Sequence, residues 1–158
     1  MTIDKHKLNN RQIVFNRRAL HNYELIETYE AGIVLKGTEV KSIRNGRISI
    51  KEAYASFEGA ELYIHSMHIP EYDHRGYSQH DPLRDRKLLL HKYELRKLYG
   101  AVTLRGLTLI PIKIYLKQGK VKAQIALCKG KKTHDKREEL RKKDMEREMQ
   151  REIKERLR

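Results

Sequence analysis

Two runs in the second half of the chain alternate apolar and polar residues without a break. The first places Ile110, Ile112, Ile114 and Leu116 at every second position, and the second does the same with Val121, Ala123, Ile125 and Leu127. A period of two sends all the apolar side chains of a run to one face of an extended strand. Gln118-Gly119-Lys120 lies between them and reads as a turn, so the pair predicts a hairpin, with Lys113 and Lys122 among its polar positions. Shorter runs predict strands over residues 23–29, 33–35, 53–57 and 62–67, and Glu58-Gly59-Ala60 joins the last two as a second hairpin. A short helix is expected over residues 37–46. Thr38 would be its N-cap, Glu39 lies in its first turn, Arg44 in its last, and Gly46 takes the left-handed position beyond the end. A second helix is expected over residues 92–99, with Leu95, Leu98 and Tyr99 on one side and Gly100 as its stop. Residues 70–82 form the longest loop, rich in Tyr, His and Arg. Short strands joined by turns, with two short helices, predict a mainly β fold: a small barrel, closed or partly open.

The pattern fails after residue 128. Residues 129–158 hold thirteen Lys/Arg and eight Asp/Glu against five large apolar side chains. Such a segment cannot bury enough apolar surface to fold alone. Met145, Met149, Ile153 and Leu157 recur every four residues, which on a helix gives only a narrow apolar seam. Glu138 with Lys142, Glu139 with Lys143, and Glu152 with Arg156 stand at i,i+4, each pair contributing about 0.2–0.5 kcal/mol to a helix. The expectation is a tail disordered when free and helical inside an RNA-lined channel. Three segments follow: a flexible N-terminus over residues 1–15, a folded body over 16–130 and a basic tail over 131–158.

Charge narrows the partner. The net charge of the 158 residues is +14; the tail supplies 13 − 8 = +5, and the rest of the chain carries the remaining +9. Two basic parts suggest two contact regions on polyanions. No apolar run approaches the length of a membrane span, and residues 1–15 lack the apolar core of a signal peptide. The single cysteine, Cys128, fits a reducing cytoplasm. Nine tyrosines offer flat faces for bases. RNA is the expected partner, and a membrane is not.

Candidate contact residues follow from residue type. Asn16, Arg17 and Arg18 with His21, the run Arg84-Asp85-Arg86-Lys87, and His91 can meet phosphates or unpaired base edges. Glu30, at a strand end in a basic protein, can accept a base amino group or fix a neighbouring arginine. In the tail, Lys131-Lys132 and Lys136-Arg137 bracket Thr133-His134-Asp135, a spacing that can hold adjacent phosphates. His134 could stack on a base, and Asp135 could cap the tail helix or orient Arg137. Eight histidines also allow an acid–base pair for RNA cleavage, from His65 and His68 or from His74 and His80. No P-loop, GxGxxG or paired CxxC is present, and no catalytic site, metal or cofactor is expected.

Four separated motifs carry a resemblance. They are Asn16-Arg17-Arg18-Ala19-x-His21-x-Tyr23; Glu30-Ala31-Gly32-Ile33-x-Leu35-x-Gly37-Thr38-Glu39-Val40-Lys41-Ser42-Ile43-Arg44; Asp81-Pro82-x-Arg84-x-Arg86-Lys87-Leu88-Leu89-Leu90; and Gly130-Lys131-Lys132-x-x-Asp135-Lys136-Arg137. Their order and spacing resemble the SmpB family of small bacterial tmRNA-binding proteins. The resemblance spans about residues 14–158. It implies an oligonucleotide-binding-type barrel with flanking helices, acting as a monomer. That barrel would bind the tRNA-like domain of tmRNA and deliver it to stalled ribosomes for trans-translation. The body would complete a tRNA mimic, while the tail senses the empty mRNA channel at the small-subunit decoding centre. By position, the resemblance puts Glu30, Leu89 and His91 in the tmRNA-binding cavity and Asn16, Arg17 and His21 in the basic opening motif. Arg84 and Lys87 join the RNA-binding set as basic residues of the third motif. Lys131, Lys132, His134, Asp135, Lys136 and Arg137 fall to the decoding site. Some members carry Asn where this chain has His91, and a small residue where it has Cys128.

Overall fold

A computed structural model of the chain describes residues 10–72 and 79–157. His74 and the N-terminal residues before 10 lie outside them. The described strands are β1 (Arg11–Phe15), β2 (Tyr23–Ile33), β3 (Tyr54–Glu58), β4 (Glu61–His65), β5 (Arg86–Leu89), β6 (Thr108–Lys117) and β7 (Lys120–Gly130). The helices are α1 (Arg17–Asn22), α2 (Gly37–Arg44), α3 (Lys92–Arg105) and α4 (Thr133–Arg156). All pairings are antiparallel. They run β6-β3-β4-β5-β2-β7 and return to β6, which closes a small barrel, and β1 lies on the outside of that ring along β6. Closure leaves the ring without an open edge of its own.

The two expected hairpins form, each with a two-residue loop. Gln118 and Gly119 both take positive φ, 51° and 75°, as a type I′ turn between β6 and β7 requires. Gly59 (φ 63°) opens the β3–β4 turn. Ala55, Leu62, Ile64, Leu88, Ile114, Ala123 and Ile125 fill the barrel interior, and Leu98 of α3 and Ile43 of α2 close its ends. The strict alternation in β6 does not keep one face, however. A bulge between Pro111 and Lys113 shifts the register. Ile114 and Leu116 therefore enter the main core, while Ile110 and Ile112 join Ala19, Ala126 and Cys128 in a second cluster beneath α1. Pro111, which has no N–H to give a ladder, sits at that bulge.

Several expectations are corrected. Residues 11–15 do not belong to a flexible N-terminus: they form β1, where Ile13 and Val14 pack on the core. The strand expected at 23–29 runs on to Ile33 as β2, and Val34 and Leu35 lie beyond its end rather than in a strand of their own. The basic run at 84–87 enters a strand, β5, missed because Arg86 occupies an inward position usually held by an apolar residue. α3 runs through Gly100 and ends at Gly106 (φ 62°), because Ala101 and Val102 still have core to pack against. The N-cap of α2 is Lys36, whose N–H donates to Glu39 Oε1 at 3.0 Å. Thr38 instead bonds His80 Nδ1 across 2.9 Å. Apart from these corrections, Thr133–Arg156 forms a single helix, α4, about 36 Å long at about 1.5 Å per residue. Its large apolar residues Leu140, Met145, Met149, Ile153 and Leu157 are all exposed, so packing contributes little to it.

Candidate nucleic-acid interface

The outer faces of β6, β7, β2 and β5 are continuous, and the ladder registers fix which residues meet there. Tyr115 pairs with Lys122, Lys122 with Gly32, and Gly32 with Leu89, while Glu30 stands opposite Gln124 and Gln124 opposite Lys113. Lys113, Tyr115 and Lys117 are thus the polar half of the alternation whose apolar half, Ile114 and Leu116, enters the barrel. At the centre is Glu30. Tyr115 donates its hydroxyl to Glu30 Oε2, and Lys117 Nζ donates to Oε1 at 3.1 Å. The Tyr115 hydroxyl bond foremost, with Lys117 and Lys122, outweighs partial burial and holds the carboxyl below its usual range. Burial, then Glu30, pushes the Tyr115 hydroxyl upward, so the phenol remains a donor. Lys113 lies over the Tyr115 ring, 5.3 Å from its centroid. The result is a shallow hollow of about 430 Å³ with an ionised acceptor, a flat ring and two ammonium groups, those of Lys113 and Lys117.

Beyond Gly32 the face changes character. Leu89 is half exposed and walls a larger, mainly apolar hollow of about 800 Å³ with Phe57, Leu95 and Tyr99. Lys87, Lys92 and Arg96 edge it. A Cβ at Gly32 would stand 3.3 Å from Leu89 Cβ, so glycine there lets β5 approach closely. His91, the N-cap residue of α3, is exposed and stacks on Tyr93 with ring centroids 5.5 Å apart and an interplanar angle of 9°. A stacked pair of exposed rings is suited to extending onto a base.

The expected RNA-binding residues do not all gather here. Glu30, Leu89 and His91 share this end of β2, with Lys87 nearby and paired to Glu61 at 2.8 Å. Asn16, Arg17 and His21 lie at the other end, where Tyr23 pairs with Gly130 and α1 packs on β2 and β6. The distance between the two ends of β2 is roughly 30 Å at about 3.3 Å per residue. Asn16 is buried. Its Oδ1 caps α1 by accepting from the Ala19 N–H at 3.1 Å, and its Nδ2 donates to the carbonyls of Ile50 and Pro111. Asn16→Ala is therefore expected to cost about 2–3 kcal/mol in denaturant unfolding, from a lost cap and two orphaned carbonyls. The RNA affinity of the folded fraction should stay unchanged. Arg84 is turned away too, donating to Glu39 Oε1 at 2.5 Å.

The tail root sits on α1. The Lys131 N–H donates to the Asn22 carbonyl at 3.0 Å, and Lys131 Nζ donates to the Leu20 carbonyl (3.0 Å) and to Glu139 (2.6 Å). Lys131 thus ties α4 to the body. Lys132 is the N-cap residue of α4, and Asp135 lies in its first turn, facing the positive end of the helix dipole, rather than at the cap itself. His134 is exposed, 3.7 Å from Glu138; Arg137 is exposed and Lys136 half-buried.

Sequence reasoning missed Tyr115, Lys117 and Tyr93 on the first surface. The first two were legible as the polar face of the β6 alternation, but nothing in the sequence marked Tyr93. Of the histidines proposed for cleavage, His80 is buried, held by Thr38 and by the Ile69 carbonyl. His65 is bonded by Ser56 and Asp85.

A closed β-barrel with a lysine- and tyrosine-lined outer face, and a charged helix leaving its opposite end, is the architecture of an RNA-binding protein. The family profile described as "SmpB protein" matches residues 13–155, and the chain belongs to that RNA-binding family, which is not a family of enzymes. An SsrA-binding protein of Caldicellulosiruptor bescii is 49% identical over 156 residues, covering 98% of this chain and 99% of the relative. That of Persephonella marina is 51% identical over 142 residues, covering 90% and 93%. A solved chain described as "tmRNA-SmpB: a journey to the center of the bacterial ribosome" is 50% identical, with a TM-score of 0.63, and is matched over 79% of this chain and 86% of its own length. No described helix is long and apolar enough to cross a membrane.

Proposed function

We propose that this chain binds the tRNA-like domain of tmRNA on the outer face of its barrel and carries it to stalled ribosomes for trans-translation in the cytoplasm. Glu30, Leu89 and His91 grip the RNA there, with Tyr115, Lys117, Lys122 and Lys87 around them. The tail serves a second polyanion, the ribosome. Lys132, His134, Asp135, Lys136 and Arg137 meet the decoding centre, and the rest of α4 lies in the empty mRNA channel. Lys131 sets the direction in which α4 leaves the body, and Arg17 and His21 belong to this end. The chain works as a monomer, without metal or cofactor in RNA binding.

One observation carries this reading. The two surfaces lie at opposite ends of a single strand, β2, and β7, paired along its length, runs from the RNA face into the tail. A rigid ladder of that length can hold two large partners apart. Gel shifts on tRNA-like, duplex and single-stranded RNA test it, with preference for the tRNA-like fold expected. Glu30→Ala and His91→Ala are each expected to weaken that complex about 10- to 100-fold, the range for hydrogen bonds to charged groups at an interface. Raising salt should weaken both complexes through lost counterion release. Equal affinity for an unstructured oligomer of the same length would overturn the proposal.

A further inference from the structure

At the tail-root end of the barrel lies a hollow that neither the RNA face nor the tail accounts for. It holds about 380 Å³, within the range of small-molecule sites, about 300–1,000 Å³. Ala19, Ala53 and Ile110, all buried, give it an apolar floor. Tyr23 and Tyr54 wall it, and the cations of Arg18 and Lys51 stand at its edge. Asn22 and Thr108, both half-buried, complete the lining. Among the described residues, the Asn22 amide, the Thr108 hydroxyl and the Lys51 ammonium have no hydrogen-bond partner.

Tyr54 is the fixed wall. It is 44% exposed, and its ring stacks on His65 with centroids 5.1 Å apart and an interplanar angle of 29°. His65 is itself held in place: Ser56 Oγ lies 2.7 Å from Nε2, and Asp85 Oδ1 lies 2.9 Å from Nδ1. A ring backed on one face and half exposed can take a flat partner with little further loss of freedom. Arg18 is paired to Glu52 across 2.5 Å, with both side chains well exposed. An exposed pair of that kind is weak, so a phosphate can take Arg18 from it.

These features fit one class of ligand. A flat body, a hydrogen-bonding edge and an anionic group occur together in an unpaired nucleotide. We infer that this hollow binds one unpaired nucleotide of the RNA that the tail end meets, which on the reading proposed above is the ribosome's. The base lies on Tyr54 over the apolar floor, its edge meets the Asn22 amide and the Thr108 hydroxyl, and its phosphate meets Lys51 and Arg18. Continuity with the tail root decides the partner. The Asn22 carbonyl accepts the Lys131 N–H at 3.0 Å, and Tyr23 stands opposite Gly130 in the ladder. The RNA face around Glu30 and Leu89 lies toward the far end of β2. The body as well as the tail therefore touches the second partner, and His65 acts as a positioning residue behind Tyr54.

The test uses the full-length chain. Amide NMR spectra are recorded with AMP, CMP, GMP and UMP, and with inorganic phosphate as the control. Saturable shifts at Asn22, Tyr54 and Thr108 are expected with at least one nucleotide, and none with phosphate at the same concentration. Tyr54→Ala, at a half-exposed position, should weaken that binding at least about tenfold, while Tyr54→Phe keeps it. Glu52→Gln should strengthen it about threefold by freeing Arg18, an effect that a merely structural role would not produce. His65→Ala should weaken it about threefold, and His65→Phe, which keeps a flat backing, should restore it. Titrations with ribosomal particles identify the source: Tyr54→Ala and Lys51→Ala should each lower affinity for small subunits about tenfold and leave affinity for the tRNA-like RNA unchanged. No saturable shift with any nucleotide, or equal shifts with phosphate, would overturn the site. A loss confined to the tRNA-like RNA would overturn its assignment to the ribosome. Neither result bears on the gel shifts that test RNA binding by the barrel face.

Discussion

Truncation before Asp135 is expected to abolish tagging of stalled nascent chains while changing affinity for the tRNA-like RNA by less than about threefold, roughly 0.7 kcal/mol. The proposed RNA face ends at Gly32, Leu89 and His91, whereas the tail starts at Gly130, opposite Tyr23 at the far end of β2. Lys131, which ties the tail root to the body, stays in the truncated protein, and Leu140, Met145, Met149, Ile153 and Leu157 all face outward. The same exposure makes α4 a marginal helix. Its i,i+4 pairs contribute only about 0.2–0.5 kcal/mol each, and its root is fixed by the Lys131–Glu139 pair. We propose that α4 frays in free solution and becomes fully helical in the ribosomal channel. Circular dichroism of the full and truncated chains, with and without ribosomes, reads this directly. Gel shift and a tagging assay on the same truncation read the division of labour. A truncated protein that lost most of its tmRNA affinity would show the two surfaces to be one.

What the sequence disclosed depended on how local the physics was. The β6–β7 hairpin was plain because alternation and a Gln-Gly turn are both local signals. The bulge at Pro111 was not, since the second cluster that Ile110 and Ile112 join with Ala19, Ala126 and Cys128 is assembled only by the fold. β5 stayed hidden because Arg86 looked like one more surface cation, and only the fold reveals it as a core residue. The same ambiguity affected the site. Asn16 and Arg84 read as RNA contacts by residue type, yet one caps a helix and the other pairs with Glu39. The resemblance placed Glu30, Leu89 and His91 together; the ladder registers put Glu30 and Leu89 near one end of β2, and His91 follows Leu89 by two residues at the start of α3. Tyr115 and Lys117, which hold Glu30, were written in the polar half of a strand whose apolar half drew the notice.

Glu39→Ala is expected to destabilise the barrel by about 3–5 kcal/mol, a large share of what a domain of this size has. The Glu39 side chain is fully buried between two guanidinium groups. Oε1 accepts from Arg84 Nη2 and from the Lys36 N–H, and Oε2 accepts from Arg86 Nε. Arg86, itself fully buried, also donates to the carbonyls of Met67 and Pro82, so one ion pair ties α2 to the end of β4 and to the stretch entering β5. Removing the carboxylate leaves the Arg86 charge buried without its counter-ion, which costs far more than the net contribution of an intact pair. Substitution of both Glu39 and Arg86 by apolar residues should therefore be less damaging than Glu39→Ala alone, and a double-mutant cycle in denaturant measures that coupling. Acidity tests the same network. Burial alone would raise the Glu39 carboxyl, but Arg84, the Lys36 N–H and Arg86 together overcome it and leave the group below its ordinary value of 4.5. A carboxyl lowered by folding contributes stability that is complete above its unfolded pKa and is lost as pH falls through the folded one. Wild-type stability should accordingly decline with acid below about pH 4.5, and Glu39→Gln should flatten that decline while lowering stability at neutral pH. A wild-type acid limb no steeper than that of Glu39→Gln would mean that the carboxylate is not what holds α2 to the barrel.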